Sequence, residues 1–248
     1  MDSRFRFENK NEDFPFYNNQ PEKVSGRQWL IMLVFPFIGF LFLTKVYIPF
    51  FSLYINELLS GIVLLVFSLL GLRLTVGQNW RLMFRKIHQK DVLLVIGYVV
   101  GALIVASAIG GIIEFFRGTL TDNPTATTAN DPNAWVTYLQ LRVQELFQLL
   151  GEEFLAILPF LAVLHISTMK FGWERRKGIL IGWIISSILF GLLHLPTYDW
   201  NLLQCIFVIG GSRMILTLPY IQTKNLWISY FVHYLYDMLI FTVAFLSQ

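Results

Sequence analysis

The sequence predicts an all-α protein, a polytopic bundle of about seven transmembrane helices, with eight spans as the alternative. Of the 248 residues, 55% are hydrophobic and 14% are charged, whereas a soluble domain carries about 25% charged residues. The mean hydropathy is +0.58. The apolar residues fall in runs long enough to cross a hydrocarbon core of about 30 Å. Composition therefore excludes a soluble domain and indicates an integral membrane protein.

Charge and cysteine content exclude two further classes. The net charge is only +3, and the basic residues cluster in loops rather than along one helix face, so we expect no nucleic-acid partner. The single cysteine, Cys205, excludes an internal disulfide framework and a cysteine-based zinc site. The bilayer itself is the partner that composition predicts.

Residues 1–27 are polar and mixed in charge. Glu8, Glu12 and Asp13 would be out of place in a short basic leader, so we interpret this stretch as a cytoplasmic amino-terminal segment rather than a cleavable signal peptide. No linker divides the remainder. We therefore predict a single transmembrane domain over residues 28–248.

The first three spans differ in how sharply the sequence bounds them. Pro36 and Pro49 make the boundary between the first two uncertain. In the third span, Gly97, Gly101 and the Gly110-Gly111 pair predict close packing of a neighbouring helix. These spans are Trp29–Thr44 continuing to Phe51, Phe51–Leu72, and Val92–Phe116.

The fourth span begins amphipathically. Gln140, Gln144, Gln148 and Glu152 follow one another at i, i+4 steps and form one polar stripe. Pro159 is expected to kink this helix beyond the stripe. The fourth to seventh spans are Ala134–Ile166, Gly178–Leu195, Leu202–Tyr220 and Leu226–Leu246.

Loop charges predict the topology. Arg73–Lys90 carries basic residues and no acid, and Lys170–Lys177 is also basic, so both are expected in the cytoplasm. Gly118–Asn133 is polar with almost no basic residues and is expected outside. The amino terminus would then lie inside, in a protein of the bacterial plasma membrane. His88 and His165 adjoin basic loops and are expected to be solvated.

Ionisable residues inside the spans indicate a functional site. Glu152 and Glu153 interrupt an apolar run, where an ionisable side chain costs at least ~2.5 kcal/mol. His194 ends the fifth span, and His233 and Asp237 share one helix face four residues apart. Antiparallel neighbours bring Glu152 level with His194. All five side chains are therefore expected to line one cavity in one half of the bilayer.

Two chemistries fit these residue types. A buried glutamate takes a proton from water, which then attacks a carbonyl, while histidine and Asp237 orient donors toward the oxyanion. In the alternative, Glu152, His194 and His233 hold Zn²⁺ and leave a position for water, although no His-Glu-x-x-His spacing supports it. Arg213 in the sixth span has three candidate roles: a clamp for a substrate carboxylate, a partner for Glu153, or an ion pair without a catalytic part.

These motifs resemble the three-part signature of the CPBP family, which comprises CAAX prenyl proteases and bacteriocin-processing intramembrane proteases, also called Abi proteins. The resemblance extends from Glu145 to Asp237, within residues 134–246. The motifs are Glu152-Glu153, Phe190-x-x-x-His194 and His233-x-x-x-Asp237.

The resemblance implies an endopeptidase in which Glu152 activates water and Glu153 supports it. His194, His233 and Asp237 would surround the scissile carbonyl. We assign Phe190 and Arg213 to substrate binding. The implied substrate is a membrane-associated peptide or prenylated protein: a CAAX-type tail, a bacteriocin leader or a signalling-peptide precursor. We favour a glutamate mechanism that requires no cofactor, with zinc as the alternative.

Two departures from the family pattern keep another hypothesis open. Ile157 stands where the family has an arginine after the glutamate pair, and Asp237 stands where asparagine is more usual. A non-catalytic immunity or regulatory protein of the Abi type, binding a peptide or a sensor kinase, is the alternative. The side of the membrane is also open, because loop charges place the cavity in the outer half whereas CAAX proteases act on cytosolic tails.

Overall fold

A computed structural model describes residues 4–116, 118–123 and 133–247 of the chain, and every regular element within those ranges is a helix. Seven helices are long and apolar enough to cross a membrane. The predicted fold class and number of spans are therefore confirmed. The helices are α1 (Gly26–Lys45), α2 (Leu53–Val76), α3 (Gln89–Phe115), α4 (Ala134–His165), α5 (Arg175–Leu193), α6 (Gly210–Thr223) and α7 (Leu226–Leu246).

Side-chain caps explain where the first two helices begin. Ser25 and Gln28 form a capping box at the start of α1, and the side chain of Ser52 caps α2. Pro36 lies inside α1, so the uncertain first boundary falls after Lys45. Irregular turns lengthen three spans: the 3₁₀ helix Gly77–Met83 and the π-helices Ile166–Lys170 and Gln204–Ile209.

Helix α4 is the centre of the bundle. The interior of the protein buries 78% of the most apolar window of its span, against 17% for α3. Helices α4, α5, α6 and α7 pack in a ring, in which α4 contacts both α5 and α7. Helices α1 and α2 pack on α4, whereas α3 packs on α6 and α7. A polar residue on α4 therefore faces protein rather than lipid.

The glycines that allow close helix packing are not those predicted. Among the described residues, no heavy atom lies within 4 Å of a Cβ built on Gly97, and a Cβ on Gly101 would make only an ordinary contact. The predicted packing role of Gly97 is wrong because that face of α3 is open. The close approaches lie elsewhere: a Cβ on Gly39 would come 2.8 Å from the Leu64 Cα, and one on Gly182 would come 2.9 Å from the Phe160 carbonyl oxygen.

The amino-terminal segment packs into the bundle. Its aromatic residues Phe14, Phe16 and Tyr17 are buried in the same apolar cluster as residues of α1, α2 and α4. His165 Nδ1–H donates to the Tyr17 carbonyl oxygen at 2.8 Å. His165 also lies against the Trp29 ring, 5.3 Å between centroids. The prediction that His165 is solvated is therefore wrong, because this segment covers it.

A buried ion cluster fastens that segment. Arg175 donates from Nη1 and Nη2 to the two Glu8 carboxylate oxygens at 2.9 and 2.7 Å. Lys224 Nζ lies 2.7 Å from Glu8 Oε2. Burial alone would raise the pKa of the Glu8 carboxyl, but these two cations outweigh burial and lower that pKa from 4.5 to about 2. The segment is thus tied to the starts of α5 and α7.

Charge divides the bundle into two ends. We call the end that carries the amino-terminal segment and the α2–α3, α4–α5 and α6–α7 connections the basic end. The opposite end carries the α1–α2, α3–α4 and α5–α6 connections, and we call it the cavity end. Of the described Lys and Arg residues, only Lys45, Arg142 and Arg213 lie away from the basic end. Residues 124–132 of the predicted external loop are outside the described residues.

Candidate active site

A cavity of about 780 Å³ lies in the half of the bundle nearer the cavity end. Glu152 of α4, His233 and Asp237 of α7, and His194 and Phe190 at the end of α5 all line it. These five predicted site residues come from three helices of the central ring. The end of α1, the start of α2, the end of α3, residues 120–123 and the start of α6 with the π-helix before it also contribute to the wall. The helix ring therefore brings residues that are distant in sequence to one polar cavity within the membrane-spanning part of the bundle.

Glu152 is the member of the glutamate pair that faces the cavity. Gln148 Nε2 donates to Glu152 Oε1 at 2.7 Å. Gln144 Nε2 donates in turn to Gln148 Oε1. This chain of hydrogen bonds follows the polar stripe predicted along α4 and reaches Glu152 from the cavity end. The glutamine amides hold one carboxylate oxygen in place.

Glu153 points the other way and is fully buried. Arg213 of α6 donates from Nη1 and Nη2 to its two carboxylate oxygens at 2.6 and 2.9 Å. The same guanidinium donates from Nε to the Thr217 hydroxyl at 3.2 Å. Arg213 is itself 0% exposed. Its pairing with Glu153 corresponds to the second of the three candidate roles, a partner for Glu153. Its assignment to substrate binding stays a prediction.

The pairing of Glu153 with Arg213 bears on the departure at Ile157. Ile157 is 0% exposed and belongs to the apolar cluster beneath α4. The family pattern places an arginine one turn beyond Glu153 on the same helix. In this chain the cation is Arg213, which reaches Glu153 from α6. The carboxylate is therefore neutralised without an arginine at position 157.

His233 links the buried pair to the cavity. Its Nδ1 lies 2.9 Å from Glu153 Oε1, and because a carboxylate only accepts, Nδ1–H is the donor. Its Nε2 lies 3.6 Å from Asp237 Oδ2, too far for a direct hydrogen bond. Glu153 therefore fixes the orientation of the His233 ring, and Nε2 lies near the Asp237 carboxylate on the side of the cavity.

Phe190 packs between the two histidines. Its ring centroid lies 4.7 Å from that of His194 and 6.0 Å from that of His233. The Arg213 Cζ atom lies 5.0 Å from the same ring. His194 Nδ1–H donates to the Phe190 carbonyl oxygen at 2.8 Å, which leaves Nε2 as the acceptor of a neutral His194 ring. The predicted role of Phe190 in substrate binding is not tested by these contacts.

Glu145 and Tyr198 are among the polar residues of the cavity that sequence reasoning missed. Glu145 lines it from α4, seven residues before Glu152. Two helical turns separate these residues, so the 3.6 periodicity already placed them on one face. Tyr198 lines the cavity from the α5–α6 connection and accepts a hydrogen bond from Asn123 Nδ2 at 3.1 Å. Burial raises the pKa of the Tyr198 hydroxyl to about 12, which keeps it protonated.

The zinc alternative stays a prediction. Within the part of the chain that the structure describes, no three His, Cys, Asp or Glu side chains are arranged to hold a metal ion. Each histidine uses Nδ1 within the protein, His233 toward Glu153 and His194 toward the Phe190 carbonyl, and this leaves the two Nε2 atoms available.

Comparison with known families covers most of the chain. Residues 25–239 match the family model described as type II CAAX prenyl endopeptidase Rce1-like. No curated protein and no solved structure matches the sequence. The matched residues include all seven spans in whole or in large part, together with every residue of the cavity assigned above. The chain therefore belongs to the Rce1-like family of type II CAAX prenyl endopeptidases, which are proteases, and it is an integral membrane member of that family.

Proposed function

We propose that this chain hydrolyses a peptide bond within the membrane by means of water activated by Glu152. The observation that supports the proposal is that the two neighbouring glutamates have different surroundings. Glu152 faces the cavity and is oriented by Gln148, whereas Glu153 is buried with Arg213 and holds His233. One carboxylate is thus accessible to water, and the other is a fixed support.

In the proposed reaction, Glu152 takes a proton from water and the water oxygen attacks the scissile carbonyl carbon. His233, flanked by Glu153 and Asp237, carries a proton on Nε2 and donates it as a hydrogen bond to the oxyanion. His194 Nε2 accepts a hydrogen bond from the other O–H of the water, which stays on the attacking oxygen. Glu152 then passes its proton to the amide nitrogen as the carbon–nitrogen bond breaks, which releases an amine and a carboxylic acid.

The proposed substrate is a prenylated, membrane-associated protein tail or peptide. Support comes from membership of the CAAX prenyl endopeptidase family and from a wall that mixes polar groups with apolar residues such as Phe40, Leu43 and Ile240. A lipid-modified peptide presents the same mixture, an apolar anchor beside a polar backbone.

The glutamate mechanism is tested with purified full-length protein in lipid nanodiscs and a quenched fluorescent farnesylated CAAX peptide. Glu152→Gln keeps the size of the side chain but removes the base, so kcat should fall by about 10² to 10⁴. Glu174→Gln, an exposed acid at the start of α5, is the matched control and should cleave like wild type. Equal rates for Glu152→Gln and wild type would refute the mechanism.

We further propose that the amino terminus lies in the cytoplasm. The basic residues at the basic end support this orientation under the positive-inside rule. Single cysteines introduced at Lys86 and at Asp122 in a Cys205→Ala background would be labelled in intact cells with a membrane-impermeant maleimide. Labelling at position 122 alone is expected. Labelling at position 86 alone would reverse the orientation.

A further inference from the structure

The cavity is lined by acids without matching fixed cations. None of the described residues that line it is a lysine or an arginine. Among the described lining residues, the basic side chains are His194 and His233, which flank Phe190. The carboxylates come from five separate parts of the chain: Glu57, Glu114, Asp122, Glu145 with Glu152, and Asp237.

Glu145 is the acid in this wall that is both buried and incompletely paired. It is 4% exposed. Its Oε1 lies 2.7 Å from Arg142 Nη2, and its Oε2 has no hydrogen-bond partner. Buried carboxylate oxygens without a partner are uncommon in folded proteins because each costs free energy. An unpaired acceptor on a residue of the cavity wall is a candidate site for a donor from a ligand once a bound peptide displaces the side chains that cover it.

Arg142 does not fill that acceptor. Its guanidinium lies against the rings of Phe241 and Tyr138, with Cζ 4.6 and 5.1 Å from their centroids, and Arg142 does not line the cavity. One Glu145 oxygen is therefore paired with Arg142, and the other, on a residue that lines the cavity, has no partner. The aromatic rings fix the arginine in this position.

The position of Glu145 defines where on a substrate its partner lies. Seven residues of helix separate Glu145 from Glu152, which corresponds to about 10 Å along the axis of α4. An extended peptide advances about 3.3 Å per residue. A peptide lying along α4 with its scissile bond at Glu152 thus brings the residue about three positions away beside Glu145.

We propose that the cavity selects peptides that carry a lysine or arginine about three residues from the scissile bond, whose cation binds Glu145 Oε2. The inference rests on the proposed function, because it takes Glu152 as the point of cleavage. The surrounding carboxylates attract the same cation and repel an acidic residue at that position. Peptides should therefore rank Lys above Gln and Gln above Glu.

The test measures binding to full-length Glu152→Gln protein in nanodiscs of neutral lipid, by fluorescence anisotropy. The probes are farnesylated decapeptides that differ at one residue, Lys, Gln or Glu, moved one position at a time along the peptide. We expect the Lys peptide to bind about tenfold tighter than the Gln peptide at one position, and the Glu peptide to bind weakest. Adding Glu145→Gln should remove the Lys preference, whereas adding Glu174→Gln should leave it.

Equal affinities for the Lys and Gln peptides at every position, or no binding of either, would overturn the inference. So would a Lys preference that persists in the Glu145→Gln variant. If Glu145→Gln does not fold, the peptide series on the parent protein still decides the preference for Lys. Cleavage by wild type that depends on Glu152 but not on peptide charge would leave the proposed function standing and refute only this inference.

Discussion

Glu153 and Arg213 place two opposite charges where neither touches water. Each charge would be costly alone, and the pair is stable because the two hydrogen bonds are bidentate and because His233 and Thr217 bond the remaining polar atoms. The pair joins α4 to α6 and, through His233, to α7. A single contact thus sets the relative positions of three helices around the cavity.

Removing one partner of this pair should be more harmful than its distance from the water-activating group suggests. Arg213→Gln leaves the Glu153 carboxylate buried without a cation, a loss of about 3 to 5 kcal/mol. Thermal unfolding in detergent should show a lowered Tm, and cleavage should be lost because His233 is no longer held. The conservative variant Arg213→Lys keeps the charge, so its Tm and its cleavage rate should lie between those of wild type and those of Arg213→Gln. A Tm equal to that of wild type for Arg213→Gln would contradict this account.

Residue patterns predicted part of this arrangement. The i, i+4 stripe on α4 and the spacing of His233 and Asp237 are local features, so sequence alone indicated which side chains share a face. The partner of Glu153 is 60 residues away on α6, and only helix packing selects Arg213 over Arg142. Glu145 lies seven residues before Glu152, and this separation is the local pattern that indicates a shared helix face.

At the scale of whole helices, small residues decide how closely the ring can pack. A Cβ on Gly191 would collide with the Cys205 carbonyl oxygen of the π-helix before α6. Gly191 follows Phe190 directly and lies three residues before His194. The approach of this π-helix to α5 therefore positions one wall of the cavity.

Gly191→Ala should disturb both stability and activity. The backbone of the π-helix cannot move aside freely, so overpacking of about 1 to 3 kcal/mol is expected, together with displacement of Phe190 and His194 and slower cleavage. Gly97→Ala is the matched control, because the described residues leave that position open, and its Tm should equal or exceed that of wild type. The reverse order of the two Tm values would show that α5 tolerates the added methyl group.

Helix existence followed from hydropathy because each span is a continuous apolar run, and the seven predicted spans overlap the seven observed helices. Hydropathy did not predict which helix faces contact one another. Gly97 and Gly101 have the spacing of a packing motif, yet no helix approaches closely there: among the described residues nothing lies near a Cβ on Gly97, and a Cβ on Gly101 would make only an ordinary contact with Ile215 of α6. Pro159 lies within α4, which continues to His165.

For the molecule as a whole, the amino-terminal segment closes the basic end. Asp13 adds a contact to Arg175 at 2.9 Å, and Arg85 is paired with Glu12. The segment thus contacts the α2–α3, α4–α5 and α6–α7 connections through charged groups, with Phe14 and Phe16 inserted between them. The amino-terminal segment is polar by composition, yet its few aromatic residues and its ion pairs hold it in place. The partners in those ion pairs are distant in sequence, so sequence patterns alone do not identify them.

Stability should depend on pH through Glu8. Its pKa is about 2 in the folded protein, against 4.5 ordinarily, so its contribution is present above about pH 4.5 and is lost as the pH falls toward 2. Linkage puts that contribution at about 3 kcal/mol. Thermal unfolding in detergent at pH 7 and pH 3 should show a smaller loss of Tm for Glu8→Gln than for wild type. Parallel pH profiles for the two proteins would refute the assignment.

The opposite placement of the basic end and the cavity end has a consequence for the order of events in a cell. If the amino terminus lies in the cytoplasm, as we propose, the cavity opens on the opposite face of the membrane. A precursor would then have to be exported before it is cut, and maturation would report on completed secretion. Cells in which export is blocked should accumulate full-length precursor even though the protease itself is intact.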